Sequence, residues 1–189
     1  MEILTLEELA RAGAYLSGHF LLSSGLHSPQ YLQCALYLAN PRSAAWAGEQ
    51  LAARLGKEQV DVVVAPALGG VIIGHEVARA LGVRFFFTER QDGRMRLRRG
   101  FALKPGQRVV VMEDVVTTGG STREVMTVVQ EQGGAVVGVG CMVNRSGDAN
   151  PFYPLPFAAL LEVTIPTFDP QTCPLCQQGL PLVKPGSRT

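Results

Sequence analysis

Between Val60 and Pro166 the chain repeats one phrase: a short apolar, β-branched run, a turn, and in most cases a stretch with apolar residues at helical spacing. The runs are 60–65, 83–87, 108–112, 135–143 and 158–163. Each is nearly continuously apolar rather than alternating, which predicts strands covered on both faces. Helical spacing predicts helices over about 5–16, 41–55, 70–81 and 119–132, with Gly56, Gly82 and Gly133 as stop signals. This order is that of an α/β domain with a mostly parallel central sheet and helices on both faces. The stretch 88–99 breaks the rhythm: it has no helical spacing, and Asp92-Gly93 is a hairpin-turn dipeptide, so a protruding, flexible flap hairpin is expected there. Beyond Pro166 the prolines and glycines predict an irregular appendage.

Length and composition narrow the class. A chain of 189 residues has room for one domain with a sizeable core, so a single domain over 1–189 is expected. It is 47% hydrophobic and 17% charged, which is globular, and no apolar run reaches the roughly 18 residues needed to cross a bilayer. The start, Met1-Glu2-Ile3-Leu4, has neither the basic opening nor the apolar stretch of a secretory signal, and a cytoplasmic protein without a membrane partner is expected. Lys and Arg number 17 against 16 for Asp and Glu, which gives no field for nucleic acid. Recognition of any anion must therefore come from local charge.

Chemistry concentrates in one segment. The run 109–112 leads into Glu113 and Asp114, then Val115, Val116, Thr117, Thr118, Gly119, Gly120 and Ser121, where a helix is expected to open. In an open α/β sheet ligands bind at the carboxyl ends of the strands, which is where this acid pair would stand. The loop after it offers backbone N–H groups and hydroxyls to a phosphate dianion. Two acids beside a phosphate cradle repel the phosphate unless they face something else, and a ribose diol a short distance from its own 5-phosphate is that partner. A second loop, Pro66-Ala67-Leu68-Gly69-Gly70, also follows a strand and opens a helix, and is a second candidate anion site. In the flap, Arg90, Arg94, Arg96, Arg98 and Arg99 gather cations that suit phosphate oxygens; a solvated, charge-protected edge is the other reading.

The acid pair with its Thr-x-Gly-x-Ser loop closely resembles the phosphoribosyl-diphosphate motif of the type I phosphoribosyltransferases. Near the amino terminus, Gly18-His19-Phe20-Leu21-Leu22-Ser23-Ser24-Gly25-Leu26-His27-Ser28-Pro29-Gln30-Tyr31 resembles the hood of the orotate-specific members, and Val143-Asn144-Arg145-Ser146-Gly147 stands where they keep an arginine for the orotate carboxylate. The resemblance covers about residues 15–165, and the tail looks like that of a thermophile-type branch. It implies a type I phosphoribosyltransferase fold: a hood over about 1–40, a core over about 41–165, and the tail over 166–189. It further implies transfer of the phosphoribosyl group to orotate in pyrimidine biosynthesis. Glu113 and Asp114 would hold the ribose, with Arg90 and Arg94 beside them in catalysis. Thr117 to Ser121 would hold the 5-phosphate, with Val115 and Val116 in the same phosphoribosyl-diphosphate site, Leu68, Gly69, Gly70 and Arg90 the diphosphate, and Thr117, Arg145 and Tyr31 the orotate. Mg²⁺ would be bound through the substrate rather than by protein ligands. A homodimer with each flap shared across the interface is implied as well.

The chain departs from the family pattern at Gly69 and Ser23, where many members have lysine, and the flap lacks Lys-x-x-Lys-x-His. Two other readings stay open: transfer to another base, a purine or uracil, and a regulator that keeps the phosphoribosyl-diphosphate site only as a sensor. Among four cysteines, Cys34 and Cys141 read as reduced core residues, while Cys173 and Cys176 form a C-x-x-C. Structural zinc needs four ligands, and no histidine follows His75. The pair is therefore expected to be inert, or to meet its copy across a dimer axis.

Overall fold

The computed structural model describes residues 3–22, 24–56 and 60–185. Met1, Glu2, Ser23 of the hood segment and the end of the tail, 186–189, lie outside them. The chain opens with α1 (Leu6–Arg11), β1 (Tyr15–Leu21), β2 (His27–Leu32), α2 (Cys34–Leu38) and α3 (Pro41–Leu55). It continues through β3 (Val62–Pro66), α4 (Gly69–Leu81), β4 (Arg84–Gln91), β5 (Arg94–Leu97) and β6 (Arg108–Val116). It ends with α5 (Gly120–Glu131), β7 (Ala135–Asn144), β8 (Phe157–Glu162) and α6 (Pro174–Gln177).

The main sheet has the order β5-β4-β3-β6-β7-β8, parallel throughout except for β5. Its apolar runs divide residue by residue between two cores. Val63, Ala65, Val110 and Met112 pack with Leu51 of α3 and Ile73 and Val77 of α4. Val62, Val64, Val109 and Val111 pack with Val125 and Val129 of α5. Burying each such side chain stabilises the fold by roughly 1.5–3 kcal/mol, and period-2 alternation supplies both layers from one run. The crossover from β3 leads to β4 on one side and that from β6 to β7 on the other. The carboxyl ends of β3 and β6 thus flank the topological switch point, where ligands of open α/β sheets bind.

The helix expected over 5–16 is shorter. A capping box between Thr5 and Glu8 starts α1, but Gly13 at φ 70° turns the chain out and Tyr15 begins a strand. The hood is a separate antiparallel hairpin of β1 and β2, with one extra β1 residue between Ser17 and Phe20. That bulge breaks the alternation and turns both His19 and Phe20 inward. The tail is irregular, with only α6 as a regular element among its described residues, yet it is bonded to the hood. It lines both edges of the hairpin: Leu21 N–H donates to Val183 O (2.8 Å) and Val183 N–H to His19 O (2.8 Å). On the other edge His27 and Phe168 exchange two backbone bonds (2.9 and 2.8 Å).

Candidate active site

β6 runs past its apolar stretch through Glu113 and Asp114 to Val116, because β7 supplies backbone partners as far as Asn144. Glu113 is buried, and that burial, reinforced by the neighbouring Asp114 charge, pushes its carboxyl well above the usual carboxylate range. Its Oε1 accepts from Asp114 N–H (3.1 Å), while Asp114 Oδ1 accepts from Val115 N–H (2.9 Å). The Asp114 carboxylate reaches over the second loop: a Cβ at Gly69 would lie 2.7 Å from its Oδ1. The bare backbone at Gly69 is what lets the two loops approach, with Gly70 behind it and Leu68 83% exposed in front.

A cavity of about 270 Å³ opens beside Glu113, lined by 115–122 and Glu124. Thr117 and Thr118 are exposed around it and Ser121 is half-buried. Helix α5 begins here with Gly119 as its cap (φ 74°) and no side chain on its first N–H groups. Those donors and the positive end of the helix dipole face the cavity. Arg123 pins the loop from behind. Its Nη1 donates to Thr118 O (2.7 Å), its Nη2 to Pro151 O (2.7 Å), and it stacks 5.1 Å from the Phe152 ring centre. The positive φ at Gly119 calls for glycine, and a Cβ there would lie 2.6 Å from that guanidinium, which would have to shift. Sequence reasoning missed Arg123, because only one of its two acceptors, Thr118 O, is local, and the other lies 28 residues further on.

Arg145 follows β7, and its N–H donates to Val116 O (2.7 Å). Its Nε is buried with no hydrogen-bond acceptor, alone in this respect among the described side chains. Burial lowers its pKa, opposed by the phenols of Tyr15 and Tyr31. Tyr31 in turn is raised by burial first and by Asp114 next, with Arg145 opposing. Tyr31, Arg145 and Asp114, from the hood, β7 and β6, thus share one electrostatic neighbourhood.

The flap turns at Asp92 and Gly93, both at positive φ (50° and 77°), as a two-residue hairpin requires. It is not a free arm, however. β4 pairs with β3 as far as Thr88, and only the pairs from Glu89–Arg96 to Gln91–Arg94 extend beyond the sheet's carboxyl edge, about 10 Å. Met95 is buried, which holds the hairpin down. Arg90 donates to Glu124 on the cavity rim (2.8 Å), and Arg99 forms a bidentate pair with Glu89 (2.8 and 2.8 Å). Arg94, Arg96 and Arg98 are exposed.

Comparison with known proteins accords with this geometry. The phosphoribosyl transferase domain family matches residues 36–154. An orotate phosphoribosyltransferase from Carboxydothermus hydrogenoformans is 55% identical over 93% of this chain and 92% of its own. One from Thermotoga maritima is 51% identical over 96% and 97%. The chain belongs to the orotate phosphoribosyltransferase family. Among solved structures, the Mycobacterium tuberculosis orotate phosphoribosyltransferase superposes with a TM-score of 0.66 at 26% identity, over 82% of this chain and 92% of that one. An adenine phosphoribosyltransferase from Thermoanaerobacter pseudethanolicus reaches 0.62 at 20% identity, over 71% and 88%. The type I fold is thus shared by enzymes named for different bases, and membership of the orotate phosphoribosyltransferases rests on sequence. No helix among the described residues is long and apolar enough to cross a membrane.

One cluster in this orotate phosphoribosyltransferase lies away from the cavity. His19, His27, Cys173 and Cys176 bring their ligand atoms within 4.8 Å of one another. The partners for the C-x-x-C therefore precede it by about 150 positions, inside the hood segment, and come from the same chain.

Proposed function

We propose that the enzyme transfers the 5-phosphoribosyl group from phosphoribosyl diphosphate to orotate, giving orotidine 5′-phosphate and diphosphate. The observation that carries this reading is the buried, unpartnered Nε of Arg145 beside Tyr31. A buried guanidinium N–H without an acceptor is costly, and a planar carboxylate on the base would satisfy it. Asp114 then holds the ribose hydroxyls, and Thr117, Thr118, Ser121 and the first N–H groups of α5 hold the 5-phosphate. Burial disfavours the charged form of Glu113, which stands beside the same cavity.

The ring nitrogen bonds to the anomeric carbon as the bond from that carbon to the diphosphate oxygen breaks; diphosphate leaves with the electron pair, and the ring N–H proton is released. Mg²⁺ would be carried on the substrate; the half-buried, oxygen-only donor Asp114 beside the cavity suits such a hard cation, which would supply positive charge to the leaving diphosphate. Arg90 at the cavity rim and the exposed Arg94 add positive charge on the diphosphate side. A homodimer with reciprocal flaps belongs to the same reading. Arg94, Arg96 and Arg98 would be the cations offered to a neighbour, because Arg90 and Arg99 are tied to Glu124 and Glu89. Release of diphosphate with orotate, beside parallel reactions with adenine, hypoxanthine, xanthine and uracil, tests the assignment. Orotate is expected to react fastest, and faster turnover of any other base overturns it.

A further inference from the structure

We propose that His19, His27, Cys173 and Cys176 form a tetrahedral structural zinc site within one chain, clamping the tail onto the hood. Zinc takes thiolate at about 2.3 Å and imidazole nitrogen at about 2.0–2.1 Å, so the edges of its tetrahedron span roughly 3.3 Å between nitrogens, 3.5 Å between nitrogen and sulfur and 3.8 Å between sulfurs. Here His19 Nε2 lies 2.9 Å from His27 Nδ1. The sulfurs of Cys173 and Cys176 lie 3.6 and 3.7 Å from His19 Nε2, and Cys176 Sγ lies 3.3 Å from His27 Nδ1. All four donors fall within 4.8 Å of one another, the compact grouping that one small ion collects.

The protonation pattern points the same way. His19 Nδ1 lies 2.9 Å from Leu180 O, and a carbonyl only accepts, so Nδ1 carries the proton and Nε2 presents its lone pair to the cluster. A backbone acceptor behind a ligating imidazole is the usual orienting contact of a metal-bound histidine. Both cysteines are free thiols, and a pair of thiolates with two neutral imidazoles is a donor set that selects a borderline-soft, tetrahedral ion.

Each ligand is aimed by a local device. The bulge in β1 turns His19 inward. His27 opens β2, and its backbone is bonded to Phe168 of the tail. Cys173 caps α6 and Cys176 lies on its first turn, so their i and i+3 positions put both sulfurs on one side. The site joins residues more than 140 positions apart, and His27 shares β2 with Tyr31. The ion therefore fixes the strand that presents Tyr31 to the base while touching neither substrate.

Metal analysis of the full-length protein, purified without added metal or a metal-affinity tag, is expected to give one zinc per chain. Cys173→Ser with Cys176→Ser is expected to abolish it, and Cys141→Ala to leave it intact. Protein stripped of metal and reloaded with Co²⁺ is expected to show the intense visible absorption of tetrahedral, thiolate-bound cobalt. Stripping is also expected to lower Tm and raise the orotate KM, with the KM for phosphoribosyl diphosphate nearly unchanged. Absence of metal with all thiols free, a Cys173–Cys176 disulfide by mass, or iron in place of zinc would each overturn the proposal. Zinc that persists in the double cysteine variant would also overturn it, and that readout does not depend on which base the enzyme uses.

Discussion

The corner between β6 and α5 and the junction between hood and tail are built on opposite plans. The corner takes both acids, the glycine-rich loop and the helix end from one stretch between Val109 and Ser121, held by a sheet buried on both faces. The junction takes a two-stranded hairpin and a tail with almost no regular structure, and draws its contacts from residues 19–28 and 166–183. A hairpin of two strands is marginal by itself. The corner can therefore lose a charge without losing its shape, whereas the junction depends on a few cross-links for its shape.

That contrast can be broken most sharply at Asp114. Asp114→Asn keeps the side chain's size, and kcat/KM is expected to fall by about a hundredfold or more as the charge proposed to face the ribose is lost. Its Tm should stay within about 2 °C of the parent, since no packing is removed. Steady-state kinetics and calorimetry measure the two. A large fall in Tm would show the corner to be as fragile as the junction.

Arg145→Ala bridges the two regions, and is expected to raise the orotate KM about tenfold through loss of a charge-assisted contact worth roughly 1.5–3 kcal/mol. Equal damage to the KM for phosphoribosyl diphosphate would place this arginine on the wrong substrate. At the junction, Cys173→Ser is expected to act in the reverse sense to Asp114→Asn, with Tm down by about 6 °C or more and kcat changed less than threefold.

The smallest effect concerns pH. A carboxyl whose folded pKa is raised binds its proton more tightly in the folded state, so its contribution is present at low pH and lost as pH rises from the unfolded carboxyl value through the raised folded one. Glu113 is such a group. Glu113→Gln should match the parent at acid pH and exceed its Tm by about 3 °C above that window, a gain on the order of 1 kcal/mol. Thermal scans across pH measure it; a gain at acid pH alone would mean that Glu113 is ionised in the folded protein.

Legibility in the sequence followed the same division. Strands 62–66, 108–116 and 135–144 and helices α3, α4 and α5 lie close to where apolar periodicity and glycine stops put them, because burial on both faces writes itself into contiguous residues. The convergence of Gly69 on Asp114 was implied by the fold, but its closeness was not. Arg123 and the two histidines were missed for one physical reason. Pro151, the second acceptor of Arg123, and Cys173 and Cys176 beside the histidines are distant in the chain, and a side chain recruited from afar leaves no spacing to read. The flap was legible as a hairpin but not as an anchored one, since Met95 gives no sign in isolation of being buried beneath it.

The tail's two bridges along the hairpin, at Val183 and at Phe168, also bear on how the molecule behaves in a crowd. A two-stranded ribbon has two open margins, each a template for another chain, and here one's own backbone occupies part of both. A protease cut between 169 and 172 would leave the corner between β6 and α5 untouched while freeing the margin that Val183 covers. Its first visible symptom would be particles in solution, with the turnover per remaining dissolved molecule still intact.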